Sequence, residues 1–137
     1  MGSVLVIEDE KGILGLIEVA LTRFGHRVET AQDGREGIRK YDRGNFDVVI
    51  TDYLMPDLDG HSVLQHIRRS ARGRTPIVGM SGTPWLLQDA GFDLVLIKPF
   101  PLKQLVDAVQ HLCSGFMVTE VAPQQFKETS AITRTGV

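Results

Sequence analysis

Four short apolar runs in this chain each deliver a chemically capable side chain at their carboxyl end. Residues 4–7 lead into Glu8, Asp9 and Glu10. Residues 48–50 lead through Thr51 to Asp52. Residues 76–80 lead into Ser81, and Leu94–Ile97 into Lys98. Two or three acids, a further acid, a hydroxyl and an ammonium are therefore available, provided the runs lie side by side. Like charges 5 Å apart repel by roughly 3 kcal/mol at an effective dielectric of 20. Acids gathered that closely either take up protons or hold a hard cation. Oxygen-only ligands, few in number and with room for water, suit Mg²⁺ better than Zn²⁺ or a Ca²⁺ cage. Opposite them, Lys98 offers a positive point charge and Ser81 a hydrogen-bond donor. A phosphoryl dianion between cation, ammonium and hydroxyl finds its oxygens matched, and a carboxylate can be the nucleophile that receives it.

The runs are rich in β-branched residues and continuously apolar, as strands buried on both faces of a parallel sheet are. A fifth, residues 27–31, alternates and is expected at an edge. Segments with a period near 3.6 lie between them. The first places Ile13, Ile17, Ala20, Leu21 and Phe24 on one face, with Gly25 as its C-terminal stop. A short second helix from about Gly34 to Tyr41 has Asp33 as its cap, with Ile38 and Tyr41 apolar. A third carries Val63, Leu64, Ile67 and Ala71, capped by Asp59. The last, with Leu102, Leu105, Val106, Val109, Leu112 and Cys113, has the cleanest stripe. Strand–helix alternation repeated five times predicts an α/β sheet wrapped on both faces, doubly wound in the order 2-1-3-4-5. In that order the first and third strands are neighbours, about 4.8 Å apart, which brings Asp9 and Asp52 together. Ligands in such sheets bind beyond the carboxyl ends of the strands.

The chain has 137 residues, 42% of them hydrophobic and 23% charged, enough for one globular core and too few for two. A net charge of −2 excludes nucleic-acid binding by bulk electrostatics, and no direct nucleic-acid partner is expected. The single Cys113 excludes an internal disulfide framework and a cysteine-built zinc site. Without a membrane-length apolar run or a leader-like start, the expectation is a cytoplasmic domain with no membrane partner. Periodicity stops at Ser114, so residues 1–113 are expected to fold and residues 114–137 to be a flexible tail or linker.

The segments Val6-Ile7-Glu8-Asp9-Glu10, Asp52-Tyr53-Leu54-Met55-Pro56-Asp57-Leu58-Asp59-Gly60, Met80-Ser81-Gly82 and Lys98-Pro99-Phe100 resemble the receiver domains of two-component response regulators. The likeness covers residues 3–113, in order. It implies a CheY-like (flavodoxin-like) fold and a phosphorelay role. Asp52 would accept a phosphoryl group from a histidine kinase or histidine phosphotransfer protein. Glu8, Asp9, Asp52 and the backbone carbonyl of Leu54 would bind Mg²⁺. Ser81 would bond the phosphoryl oxygen and move toward it, and Lys98 would pair with the phosphate beside a cis Lys98–Pro99 bond. Leu54 and Thr83 stand where the family tunes hydrolysis of the aspartyl phosphate. The chemistry would be self-catalysed, without a turnover substrate, and the downstream partner is not implied by any motif.

Two departures from that pattern stand out. Val95 occupies the position, three before the lysine, where the family carries an aromatic switch residue. Ser81 and Lys98 are 17 positions apart, roughly one helical turn fewer than typical, which predicts a shortened fourth helix of about 10 Å between Pro84 and Gly91. The usual dimer surface is thereby in question. The alternative these departures favour is a phosphorylation-independent interaction module. A phosphohydrolase is disfavoured, because the place two residues after Asp52, where such enzymes hold an acid–base Asp, holds Leu54. Ordinary structural duties account for His26, His61, His66 and His111. Arg68, Arg69, Arg72 and Arg74 suit the negative end of the third helix. Trp85 fits either a core-capping or a contact role.

Overall fold

The computed structural model describes residues 2–87 and 91–114. Its elements run β1 (Ser3–Ile7), α1 (Lys11–Arg23), β2 (Arg27–Ala31), α2 (Gly34–Arg43), β3 (Val48–Asp52), α3 (Gly60–Arg69), β4 (Ile77–Ser81), a 3-10 turn (Pro84–Leu87), β5 (Leu94–Ile97) and α4 (Leu102–Ser114). All strand pairs are parallel, and the order is β2-β1-β3-β4-β5. The chain is thus an α/β, doubly wound, CheY-like domain, as its alternating pattern predicts.

Strand alternation divides the core in two. Val4, Val6, Val48, Ile50, Val78, Met80, Leu94 and Leu96 point toward α1 and α4. Leu5, Ile7, Val49 and Ile77 point toward α2 and α3. β3 and β4 are buried along their whole length, whereas the edge strand β2 alternates and leaves Arg27 and Glu29 exposed.

The predicted caps are present. Asp33 accepts from the Glu36 N–H at 2.8 Å and Asp59 from the Ser62 N–H at 3.0 Å. Gly25 ends α1 with φ +89°. The Gly25 and His26 N–H groups return to the carbonyls of Thr22 and Leu21, the paired bonds of a Schellman turn.

Periodicity misplaced two side chains. Phe24, expected on the buried face of α1, is 58% exposed, because the helix ends at Arg23 and Leu14 shares the inner face with Ile17 and Leu21. Ala71, assigned to α3, lies beyond its end and is exposed; Ser70 caps the helix with its own N–H bonded to the Ile67 carbonyl.

The arginines in and after the last turn of α3 do more than complement a helix dipole. Arg68 donates to the carbonyls of Gly73, Thr75 and Gly91 and to Asp93. Arg72 bonds Asn45 and the Tyr41 carbonyl, and its guanidinium lies 5.3 Å from the Tyr41 ring centre. These residues staple the loops at the amino ends of the strands.

The shortened fourth helix is reduced to the single turn Pro84–Leu87 among the described residues; the rest of the expected two turns, residues 88–90, lies outside them. The expected tail from Gly115 also lies outside them, and α4 runs one residue further than the boundary expected at 113.

Candidate functional site

The four predicted strand ends meet at one edge of the sheet. Ile7 pairs with Thr51, so Glu8 and Asp52 leave neighbouring strands at the same level, and Asp52 pairs with Met80 just before Ser81. Carboxylate oxygens of Glu8, Asp9 and Asp52 all lie within 4.8 Å of one another. Lys98 Nζ reaches Glu8 Oε1 at 3.0 Å and Asp52 Oδ1 at 3.3 Å. Among the described residues this is the one cluster of its kind.

Each side chain is held by its own element. Glu8 is 1% exposed; its Oε2 accepts the Glu10 N–H at 3.0 Å, a turn that also starts α1. Sequence spacing did not reveal this backbone donor. Asp52 closes β3 and is 7% exposed. The loop after it turns sharply back, and the Gly60 N–H bonds the Tyr53 carbonyl at 2.8 Å. A Cβ at Gly60 would sit 2.5 Å from the Asp52 carbonyl oxygen, so only glycine lets α3 begin so near the site. Asp9, by contrast, is exposed and completes the rim.

The electrostatics follow from this placement. Burial raises the Glu8 carboxyl above the ordinary range, opposed by the Glu10 N–H and by Lys98. Burial likewise raises Asp52; Lys98 opposes the shift and Asp9 adds to it. For Lys98, burial works against the charge, but Glu8 and Asp52 outweigh it and the ammonium stays protonated above its usual value. Three carboxylates face one ammonium, leaving an excess of negative charge. An all-oxygen donor set with that excess fits a small hard cation.

Ser81 and Lys98 are tied by the backbone, the Lys98 N–H donating to the Ser81 carbonyl at 2.8 Å. The Ser81 side chain does not join the carboxylates. Its Oγ accepts the Thr83 N–H at 2.9 Å and lies 3.1 Å from Thr83 Oγ1. The Leu54 side chain is 57% exposed, so that residue can serve the site only through its backbone. Lys98–Pro99 is cis.

Beside Ser81 the face of the sheet is filled unusually. Gly79 pairs with Val95, and a Cβ at Gly79 would lie 3.0 Å from both Leu87 Cδ2 and Phe92 Cδ1. The Phe92 ring meets Tyr53 edge-on, with centres 6.2 Å apart at 72°. A glycine inside an otherwise apolar strand, between Val78 and Met80, was the available sign of this close approach. Trp85 does not cap the core; it is 66% exposed.

The profile of the response regulator receiver domain matches residues 4–110. Among curated proteins, the transcriptional regulatory protein TcrA of Mycobacterium tuberculosis is 36% identical over 107 residues. The match covers 74% of this chain and 42% of TcrA, so the chain spans less than half the length of that relative. Among solved structures, the Francisella response regulator 1452 receiver domain is 30% identical with a TM-score of 0.78, covering 84% of this chain and 98% of its own. The response regulator TrrA of Thermotoga maritima, solved in complex with Mg²⁺–BeF, is also 30% identical with a TM-score of 0.75. It covers 82% of this chain and 99% of its own.

Proposed function

Because the chain belongs to the response regulator receiver family of two-component systems, we propose that residues 1–113 act as a phosphoacceptor domain with Asp52 as the acceptor. The observation that carries this is the contact of Lys98 Nζ with Glu8 at 3.0 Å and Asp52 at 3.3 Å, inside a group of three carboxylates. In the transfer, a carboxylate oxygen of Asp52 attacks the phosphorus of a phosphohistidine or a small acyl phosphate. The donor bond to phosphorus breaks, its electron pair leaves with the donor, and an acyl phosphate remains on Asp52. Burial favours this group as nucleophile, since a desolvated carboxylate gains more by sharing its charge than a hydrated one.

Glu8, Asp9 and Asp52, with the Leu54 carbonyl, would hold Mg²⁺, which when bound offsets phosphoryl charge. Lys98 is placed to exchange its carboxylate partners for a phosphoryl oxygen. Ser81 would leave Thr83 and donate to another. The phosphorylated state then differs from the free one at Ser81, Thr83 and the turn they enter, which is how the domain would alter its partners. A histidine kinase or histidine phosphotransfer protein is the proposed donor, and no turnover substrate is proposed.

Incubation with a small acyl phosphate and Mg²⁺ should add one phosphoryl group by intact mass, and chelation should stop it. No gain in the wild type, or an equal gain in Asp52→Asn, would refute the acceptor role. A phosphorylation-independent module is the second possibility, favoured by Val95 at the aromatic position. It requires the amide spectrum of the described residues between Ser81 and Lys98 to stay unchanged on phosphorylation.

A further inference from the structure

The loop that follows Asp52 is fixed at its ends and at its middle. The Gly60 N–H bond to the Tyr53 carbonyl closes the ends. The middle is a γ-turn: the Leu58 N–H donates to the Pro56 carbonyl at 2.9 Å, with Asp57 between them at φ +75°. Among the described residues Asp57 is the one non-glycine residue with a positive φ. A γ-turn of that hand is rare and strained, and such backbone persists only where its surroundings hold it.

The first turn of α2 supplies the hold. Arg35 Nε donates to Asp57 Oδ2 at 2.9 Å, across 22 positions of sequence. One residue before it, a Cβ on Gly34 would collide with the Leu58 carbonyl oxygen, so α2 starts directly against the loop. Both partners of the ion pair are 64% exposed, so the pair adds little to global stability. Its effect is local. Leu54 lies between the closed end at Tyr53 and the γ-turn, and a span this short with both ends fixed loses most of its conformational freedom.

We propose that Arg35 is a positioning residue for the metal site, its ion pair with Asp57 latching the loop that presents the Leu54 carbonyl beside Asp52. The inference rests on the Mg²⁺-binding reading given above. It gives α2, which has no side chain in the carboxylate cluster, a share in the affinity for the cation. Bulk charge and a latch predict opposite signs. By charge alone, removing a cation tightens Mg²⁺ binding and removing an anion weakens it. With a latch, either loss weakens binding, and losing both partners is no worse than losing one.

Titration of the 137-residue chain with Mg²⁺ alone, followed by the amide NMR shifts of Asp52, Tyr53 and Leu54, tests this. Arg35→Met should weaken binding about threefold, as loss of a well-formed exposed ion pair would. Asp57→Asn should do the same, since Asn adopts a positive φ as readily as Asp. The double variant should match the single ones, and Arg35→Lys, which keeps the charge, should restore most of the affinity. Arg39→Met removes an exposed arginine from the same helix and should not weaken binding. Urea midpoints should stay in place throughout. The latch is overturned if Arg35→Met binds Mg²⁺ as tightly as the wild type or more tightly, or if the double variant returns to wild-type affinity. A wild type without saturable shifts would instead refute the Mg²⁺ reading, and the latch with it.

Discussion

The two halves of the sheet are built on different terms. Around β1 and β3 the chemistry is ionic: buried Glu8 and Asp52 and exposed Asp9 surround the Lys98 ammonium, which itself comes from the end of β5. Around β4 and β5 it is neutral and steric. Ser81 and Thr83 hydroxyls engage each other, Gly79 admits Leu87 and Phe92, and Val95 stands where a ring would be expected. In the proposed function the ionic half presents charge to a phosphoryl group. In the same proposal the steric half has only to convert a hydroxyl's movement into a change of shape, which several packings can do. Here, among the described residues, the 3-10 turn Pro84–Leu87 and the Phe92–Tyr53 ring pair occupy that place.

Lys98→Met should have the largest effect, because it strips the cation from two buried carboxylates. Leaving a buried charge unpaired costs about 3 kcal/mol, which urea unfolding at neutral pH would register. The loss should shrink in acid, as Glu8 and Asp52 take up protons, and phosphoryl incorporation should fall with it. If stability is unchanged across pH, the ion cluster is not what holds this half together.

Gly79→Ala tests the steric half. A methyl 3.0 Å from Leu87 and Phe92 overpacks that face and should cost about 1–2 kcal/mol, with a change in Tyr53 fluorescence. A neutral outcome would mean that the 3-10 turn yields freely and exerts no grip on Phe92.

The pH dependence separates the halves further. Burial raises the folded pKa of Asp52 above its unfolded value. Its contribution is therefore fully present below about pH 4, where the unfolded carboxyl is also protonated. It is lost as pH rises through the folded value. Without Mg²⁺, Asp52→Asn should stabilise the domain at neutral pH, with the advantage vanishing in acid. Mg²⁺ should stabilise the wild type more than the variant. An advantage independent of pH would place its origin outside ionisation.

The smallest effect belongs to Trp85→Ser. At 66% exposure it should alter stability by less than about 0.5 kcal/mol, while removing the fluorescence that reports on the turn after Thr83. A larger loss would show that Trp85 is part of the packing.

Strands, caps and the ionic half were legible from residue types alone, because burial of β-branched runs and capping by Asp33, Asp59 and Gly25 are local rules. The meeting of Glu8, Asp9, Asp52 and Lys98 followed from one topological step, the strand order. What escaped depended on long-range geometry. Phe24 fell outside the core because α1 stops one residue earlier, and no periodicity marks that stop within one residue. Arg68 and Arg72 looked like helix-end charges, yet their partners Asp93 and Tyr41 are remote in sequence. The Phe92–Gly79 contact crosses a connection whose shape no local pattern specifies.

In the proposed function the residue 52 carboxyl is the nucleophile of a shared ionic pocket. Borohydride reduction after incubation with a small acyl phosphate and Mg²⁺ converts an aspartyl phosphate to homoserine, and peptide mapping then locates it. Homoserine at position 52, with no other acidic position reduced, is the predicted result; homoserine at position 9, 2-amino-5-hydroxypentanoic acid at position 8, or no reduced residue at position 52 would contradict it.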